Sequence, residues 1–153
     1  MIIAGGAFCL KATMSSTAYN CSLDHDAEVV WHLLREFTDI PWMMGVQEVT
    51  TGTYQGQVAR LLHMPGIEPI TEYLINLDDE QQSLQYGVVK NPFVPVEGYQ
   101  ATISVNSEAG KAQVMFSSSY DLGDQSAEDV SQMLQGFYQM MATSIDNYLQ
   151  SSE

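Results

Sequence analysis

Between residues 46 and 122, apolar and polar side chains alternate in short runs, at 46–52, 56–64, 67–78, 82–90, 96–106 and 111–122, each rich in Val, Ile, Thr or Tyr. A period of two marks half-buried strands. The runs are split by Thr51-Gly52, Gln55-Gly56, Pro65-Gly66, Asp78-Asp79, Asn91-Pro92 and Ala109-Gly110. Connections this short favour antiparallel hairpins. One further strand is expected over Thr13 to Leu23, where the alternation is looser.

The period lengthens on either side of this β region. Val29, Val30, Leu33, Leu34 and Phe37 recur at three- and four-residue spacing behind Asp24 and Asp26, either of which suits a helix N-cap. Thr38 to Gly45 then predicts a second short helix, opened by Pro41 and stopped by Gly45. At the other end a long helix is predicted from a Ser126 cap to about Leu149, with Glu128 and Asp129 complementing its dipole. Its apolar positions are Val130, Met133, Leu134, Phe137, Met140, Met141, Ile145, Tyr148 and Leu149. The whole reads as an α+β domain: a curved antiparallel sheet of seven strands around one long C-terminal helix, with two short helices after the first strand. One helix cannot fill a concave sheet, so a pocket between them is expected. Gly136 inside the long helix costs about 1 kcal/mol relative to alanine. Room for a ligand or close approach of the sheet would explain it.

The run from Ile70 to Asp78 carries a carboxylate, Glu72, where a core should be apolar. On a strand, Ile70, Glu72 and Leu74 share one face and Thr71, Tyr73 and Ile75 the other. An enclosed Glu72 requires hydrogen bonds, water or a ligand beside it. A hairpin centred near residue 66 or 67 is expected to bring His63 onto the same face as Glu72, diagonally placed, as a possible acid–base pair. Arg60 has the opposite parity from His63 and is expected to face outward or to pair with an acidic neighbour. Tyr73, Tyr86, Tyr99 and Tyr120 offer phenols to a ring-containing ligand. Met43, Met44, Met64, Met133, Met140 and Met141 offer an adaptable lining.

Charge narrows the partners. Nineteen acidic residues against Lys11, Arg35, Arg60, Lys90 and Lys111 give a net charge of −14, which repels phosphate backbones and anionic membranes. No run approaches the roughly 20 apolar residues of a membrane span. The length suits one domain, read as residues 13–150, with residues 1–12 as an N-terminal extension that lacks the basic region of a signal peptide. Cys9 and Cys21 are read as reduced thiols of a cytoplasmic protein. His25, His32 and His63 are dispersed, and neither metal-ligand spacing nor a phosphate-binding glycine loop occurs, so no metal or cofactor is expected.

Three segments carry a family resemblance over residues 13 to 150: Asp26-Ala-Glu-Val-Val-Trp31-His-Leu-Leu-Arg35-Glu-Phe37, Thr71-Glu72-Tyr-Leu-Ile-Asn-Leu-Asp78-Asp79-Glu80, and Tyr99-Gln-Ala-Thr-Ile-Ser-Val. They resemble the first helix, the central strand and turn, and the strand after the latch loop of the Bet v 1-like or START-like (SRPBCC) superfamily. Within it, they are similar to the polyketide cyclase/dehydrase-like group and the plant abscisic-acid receptors. The resemblance implies a helix-grip fold and a hydrophobic small molecule as partner. It makes Glu72 similar to the receptors' acidic cavity residue, and Tyr86 and Tyr99 similar to their cavity aromatics. Met64, Pro65 and Gly66 look like a gate loop, and Pro92 and Phe93 lie at the latch position. The receptors' cavity lysine has no counterpart near Trp42, and their His-Arg-Leu latch is missing. That speaks against hormone reception and leaves a gated apolar pocket.

The fold hosts carriers, receptors and enzymes, so three readings follow. The first is a binding protein in which Glu72, Tyr99 and His63 make polar contacts while Trp42, Leu61, Tyr86, Tyr120, Leu134, Phe137 and Met141 form walls. The second is a polyketide cyclase or dehydratase using His63 and Glu72 as acid and base. The third is a protein-interaction module acting through its gate.

Overall fold

The computed structural model describes residues 14–152, so the expected extension, with Cys9, lies outside the described residues. The chain runs β1 (Met14–Leu23), α1 (Ala27–Leu34), β2 (Glu48–Tyr54), β3 (Gln57–His63), β4 (Ile70–Asp78), β5 (Ser83–Val88), β6 (Glu97–Glu108), β7 (Lys111–Asp121) and α2 (Ala127–Ser151). The strands form one seven-stranded sheet in the order β1-β7-β6-β5-β4-β3-β2, antiparallel throughout. Two of its hairpins turn on residue pairs with positive φ, Gln55-Gly56 and Ala109-Gly110. Both central residues of such a two-residue turn are left-handed because that twist matches the strands on either side.

One short helix, not two, follows β1. α1 ends at Leu34, leaving Phe37 outside it, and residues beyond form separate turns: Asp39 N–H donates to Glu36 O and Met43 N–H to Ile40 O, both at 3.1 Å. Each is a single three-residue closure that does not propagate. Helix nucleation is unfavourable without added turns to follow it, and Pro41 brings no N–H of its own. The turn after β4 is tied to α1 by Arg35, whose Nε donates to Asp79 Oδ1 at 2.8 Å, and by Trp31 Nε1, which donates to the same oxygen at 2.9 Å. The hydrogen bond from Arg35, with that from Trp31 behind it, holds the Asp79 carboxyl below its ordinary range.

α2 begins as expected, with Ser126 Oγ accepting from the N–H of Asp129, and packs along β1. Its buried positions are Val130, Leu134, Tyr138, Met141, Ala142, Ser144, Ile145 and Leu149. The apolar stripe is thus rotated from the predicted one: Tyr138 lies inside, while Met133 and Met140 are exposed. Gly136 also lies on the exposed side, and a Cβ there would meet nothing. Neither expected reason for that glycine holds.

Alternation along β4 holds through Leu74 and then changes. A bulge between Leu74 and Asn76 resets the register so that Leu77 pairs with the buried Leu84, because one extra residue moves the following side chains to the other face. On the outer face, Tyr73 lies across Gly87, where an added Cβ would come within 2.3 Å of its ring.

Candidate functional site

A cavity of about 390 Å³ lies between the inner faces of β3 to β6 and α2. Its sheet wall is built from Leu62, Ile70, Val88 and the ring of Tyr86, and its helix wall from Leu134, Phe137 and Met141. These residues converge because inward positions on a strand recur every second residue, while Leu134, Phe137 and Met141 recur at three- and four-residue steps on one side of α2. The mouth is framed by Met43 and Met44 from the α1–β2 connection, Met64 from the β3–β4 loop, and Phe93 and Val94 from the β5–β6 loop. Asn91 Oδ1 accepts from the N–H groups of both Phe93 and Val94, at 2.9 and 3.1 Å, and so fixes the turn that presents them.

The polar part of the lining centres on Glu72, which sits on β4 directly opposite Arg60 of β3. Arg60 Nη2 lies 2.7 Å from Glu72 Oε1, and Arg60 Nε donates to the same oxygen at 2.8 Å. Nη1 donates to the backbone carbonyl of Phe37 at 2.8 Å. The guanidinium lies 4.1 Å from the ring centroid of Phe37 and 5.4 Å from that of Tyr86. Arg60 is therefore not outward and solvated as its parity relative to His63 suggested; it is buried, at 2 % exposure. Pairing with an acidic neighbour, the other expectation for it, is what the structure displays.

His63 goes the other way. The β3–β4 pairing is centred on Gly66, so residues of equal parity share a face: Arg60 and Leu62 point inward with Glu72 and Ile70, and His63 points outward. Its Nε2 lies 2.9 Å from Thr50 Oγ1 on β2. His63 and Glu72, expected to meet, are on opposite faces of the sheet.

Tyr99 lines the cavity, and its hydroxyl is hydrogen-bonded to that of Tyr138 on α2. Burial pushes the phenols of Tyr86, Tyr99 and Tyr138 above their ordinary range, opposed in Tyr138 by hydrogen bonds to Ser118 and Tyr99. All three remain O–H groups at neutral pH. Tyr120 stacks behind Tyr99, with ring centroids 6.3 Å apart, and its hydroxyl lies 2.6 Å from Thr17 Oγ1, away from the cavity lining.

Of the residues singled out from sequence, Met64, Glu72, Tyr86, Phe93, Tyr99, Leu134, Phe137 and Met141 come together around the cavity. Trp42, Leu61, His63 and Tyr120 do not line it, nor do the exposed loop residues Pro65, Gly66 and Pro92. Leu61 occupies the outward parity of β3, beside Gly52. Trp42 is buried in the core and its Nε1 has no hydrogen-bond partner. Arg60 was expected only to face outward or to meet some acidic neighbour, and a hairpin centre at Gly66 names that neighbour as Glu72; Ser144, a hydroxyl inside the helix stripe, was missed, and the sequence gives no signal for it. Among the described residues no group of three or more His, Cys, Asp or Glu is placed to hold a metal ion, and no helix is long and apolar enough to cross a membrane.

The model of the family described as polyketide cyclase / dehydrase and lipid transport matches residues 16–150. Among solved structures, an uncharacterised protein of Bacillus thuringiensis is similar at 24% identity and a TM-score of 0.75, over 88% of this chain and 98% of that one. The protein XoxI of Bacillus cereus is similar at 23% identity and a TM-score of 0.74, over 88% and 94% of the two chains. A protein of Nitrosospira multiformis follows at 16% identity and a TM-score of 0.72, over 87% and 94%. At these identities the likeness is one of fold, and none of these matches bears on abscisic-acid receptors. No curated protein matches the chain.

Proposed function

The chain belongs to the polyketide cyclase/dehydrase and lipid-transport family, and from that premise we propose that it binds a hydrophobic small molecule, of lipid, polyketide or aromatic type, in the cavity between the sheet and α2. The observation that carries this reading is an apolar enclosure of about 390 Å³ with a buried Arg60–Glu72 pair at one wall. Ligand sites of about 300–1,000 Å³ combine apolar walls with a few convergent polar groups in this way. Glu72, Tyr86 and Tyr99 are the proposed polar contacts, and Leu134, Phe137 and Met141 the proposed apolar ones. The methionines at the mouth suit ligands of variable outline. The acid–base alternative draws no support from the geometry, since His63 faces away from Glu72.

Native mass spectrometry of freshly purified protein tests the reading. The expected result is a reproducible non-covalent adduct that denaturation releases as an apolar compound. A folded protein that carries no adduct, and that does not saturably take up an apolar fluorescent probe, would overturn it.

A further inference from the structure

The cavity's polar atoms are not equivalent, and the difference bears on ligand chemistry. Each nitrogen of the Arg60 guanidinium already has a partner: two meet Glu72 Oε1, the third donates to Phe37 O, and the Phe37 ring covers its face. Its two remaining N–H groups do not serve the cavity, because Glu72 lines it and Arg60 does not. Glu72 is engaged through Oε1 alone. Among the described residues the one buried side-chain nitrogen or oxygen that is sealed off without a partner is Trp42 Nε1. Glu72 Oε2 is therefore unpaired but not sealed, and Glu72 is part of the cavity lining. A carboxylate oxygen is an acceptor only. Tyr86 and Ser144, each of which carries a hydroxyl, also line the cavity. A hydroxyl can donate or accept, so these two suit either polarity; Glu72 Oε2 sets the preference.

Resting on the reading of the cavity as a ligand site, we infer that the site selects an uncharged, ring-sized apolar molecule whose polar end is a hydrogen-bond donor such as a hydroxyl, and that it rejects carboxylate-bearing molecules of the same shape. An alcohol places its O–H on Glu72 Oε2 and keeps its own oxygen available to a neighbouring hydroxyl. A carboxylate of the same outline sets two acceptors against each other in a low-dielectric enclosure, with Arg60 already spent on Glu72. Like charges at such a site are strongly disfavoured.

Three probes that differ only at one end decide the matter: 2-naphthaleneethanol, 2-ethylnaphthalene and 2-naphthaleneacetate, titrated calorimetrically at pH 7.5. For the unmodified protein the alcohol is expected to bind about tenfold more tightly than the hydrocarbon, the gain of one hydrogen bond to a charged acceptor, and at least about tenfold more tightly than the acetate. In Glu72→Gln the acetate is expected to gain on the alcohol, because Arg60 loses its counter-charge. The overall charge of −14 changes by only one unit, so such a gain reports the local pair. Should Glu72→Gln fail to fold, the double variant Arg60→Met with Glu72→Leu removes both charges together and is expected to bind alcohol and hydrocarbon within about twofold of each other. Acetate binding as tightly as the alcohol to the unmodified protein, or an alcohol no better than the hydrocarbon, overturns the selectivity and leaves the cavity reading standing. No binding of any of the three overturns the cavity reading and the selectivity with it.

Discussion

Two halves of the same sheet meet the same helix with opposite results. On the β1–β7 side, with the adjoining part of β6, the space under α2 is full: Phe116, Tyr120, Tyr138 and Ile145 have essentially no exposed surface. Phe116 and Tyr138 stack at 5.3 Å, and the hydroxyls there are paired, Tyr120 with Thr17 and Tyr138 with Tyr99. On the β3–β5 side the same helix stands over a cavity, and its surroundings include exposed apolar residues, Met44 at 51 % and Phe93 at 46 %. Both halves are apolar and both alternate correctly. The difference is one of position: α2 lies along β1, where the ring of Tyr138 stacks on Phe116, and the strands farther along the sheet stand off from it with the cavity between. Interiors pack to near-crystalline density wherever the volumes allow, so the unfilled half is where the proposed ligand would complete the packing.

The contrast can be broken most severely at the ion pair. Glu72→Ala leaves the buried Arg60 guanidinium without a counter-charge and is expected to destabilise the fold by about 3–5 kcal/mol. Arg60→Met with Glu72→Leu should lie within about 1 kcal/mol of the unmodified protein, because the desolvation of both charges is relieved together. Urea titrations of the two variants check this; equal losses in both would mean that packing around the pair, and not its charge, carries the stability.

Next in size is the cost of deleting bulk on either side. Phe116→Ala in the filled half is expected to cost about 3–5 kcal/mol, whereas Met141→Ala, which only enlarges an existing cavity, should fall near 2 kcal/mol. Equal costs would erase the distinction between the halves.

A third test uses pH. Burial holds the phenols of Tyr86, Tyr99 and Tyr138 above their ordinary value of 10.0, so the unfolded chain releases these protons before the folded one does. Their contribution is intact below about pH 10 and is lost as pH rises beyond it. Thermal melts between pH 8 and 11.5 should show a steep alkaline decline that Tyr99→Phe makes shallower. A decline unaffected by that change would remove Tyr99 from the account.

The smallest effect has the opposite sign. Gly136 lies on the exposed side of α2 with open space around it, so Gly136→Ala should stabilise by about 1 kcal/mol through helix propensity alone and leave ligand affinity unchanged. A loss of affinity would show that the helix must flex there for the cavity to fill.

How much of this was legible beforehand differs from residue to residue. The seven strands, the Ser126 cap and the long helix follow from periods of two and 3.6 and from turn chemistry, which act over a few neighbours. The second short helix was misread because spacing alone did not reveal that each turn between Glu36 and Met43 closes separately. Glu72 stood out as a carboxylate in an apolar strand, and Leu134, Phe137 and Met141 as part of one stripe. Their convergence on one cavity followed from the sheet curling around the helix.

The partner of Glu72 was not legible, for a definite reason. In a hairpin the facing residue depends on the position of its centre, and a shift of one residue in pairing sends every side chain to the other face. With the centre at Gly66, Arg60 enters and His63 leaves. The bulge after Leu74 acts in the same way, and the buried Trp42 owes its place to a connection without periodicity. By itself the sequence determined the seven strands, the helix after the first of them, the long last helix, their order and the presence of a buried carboxylate, because those depend on local periodicity and composition. The tertiary structure alone decided which cation meets that carboxylate and which half of the grip stays empty, because both depend on register and on volumes contributed by residues far apart in the chain.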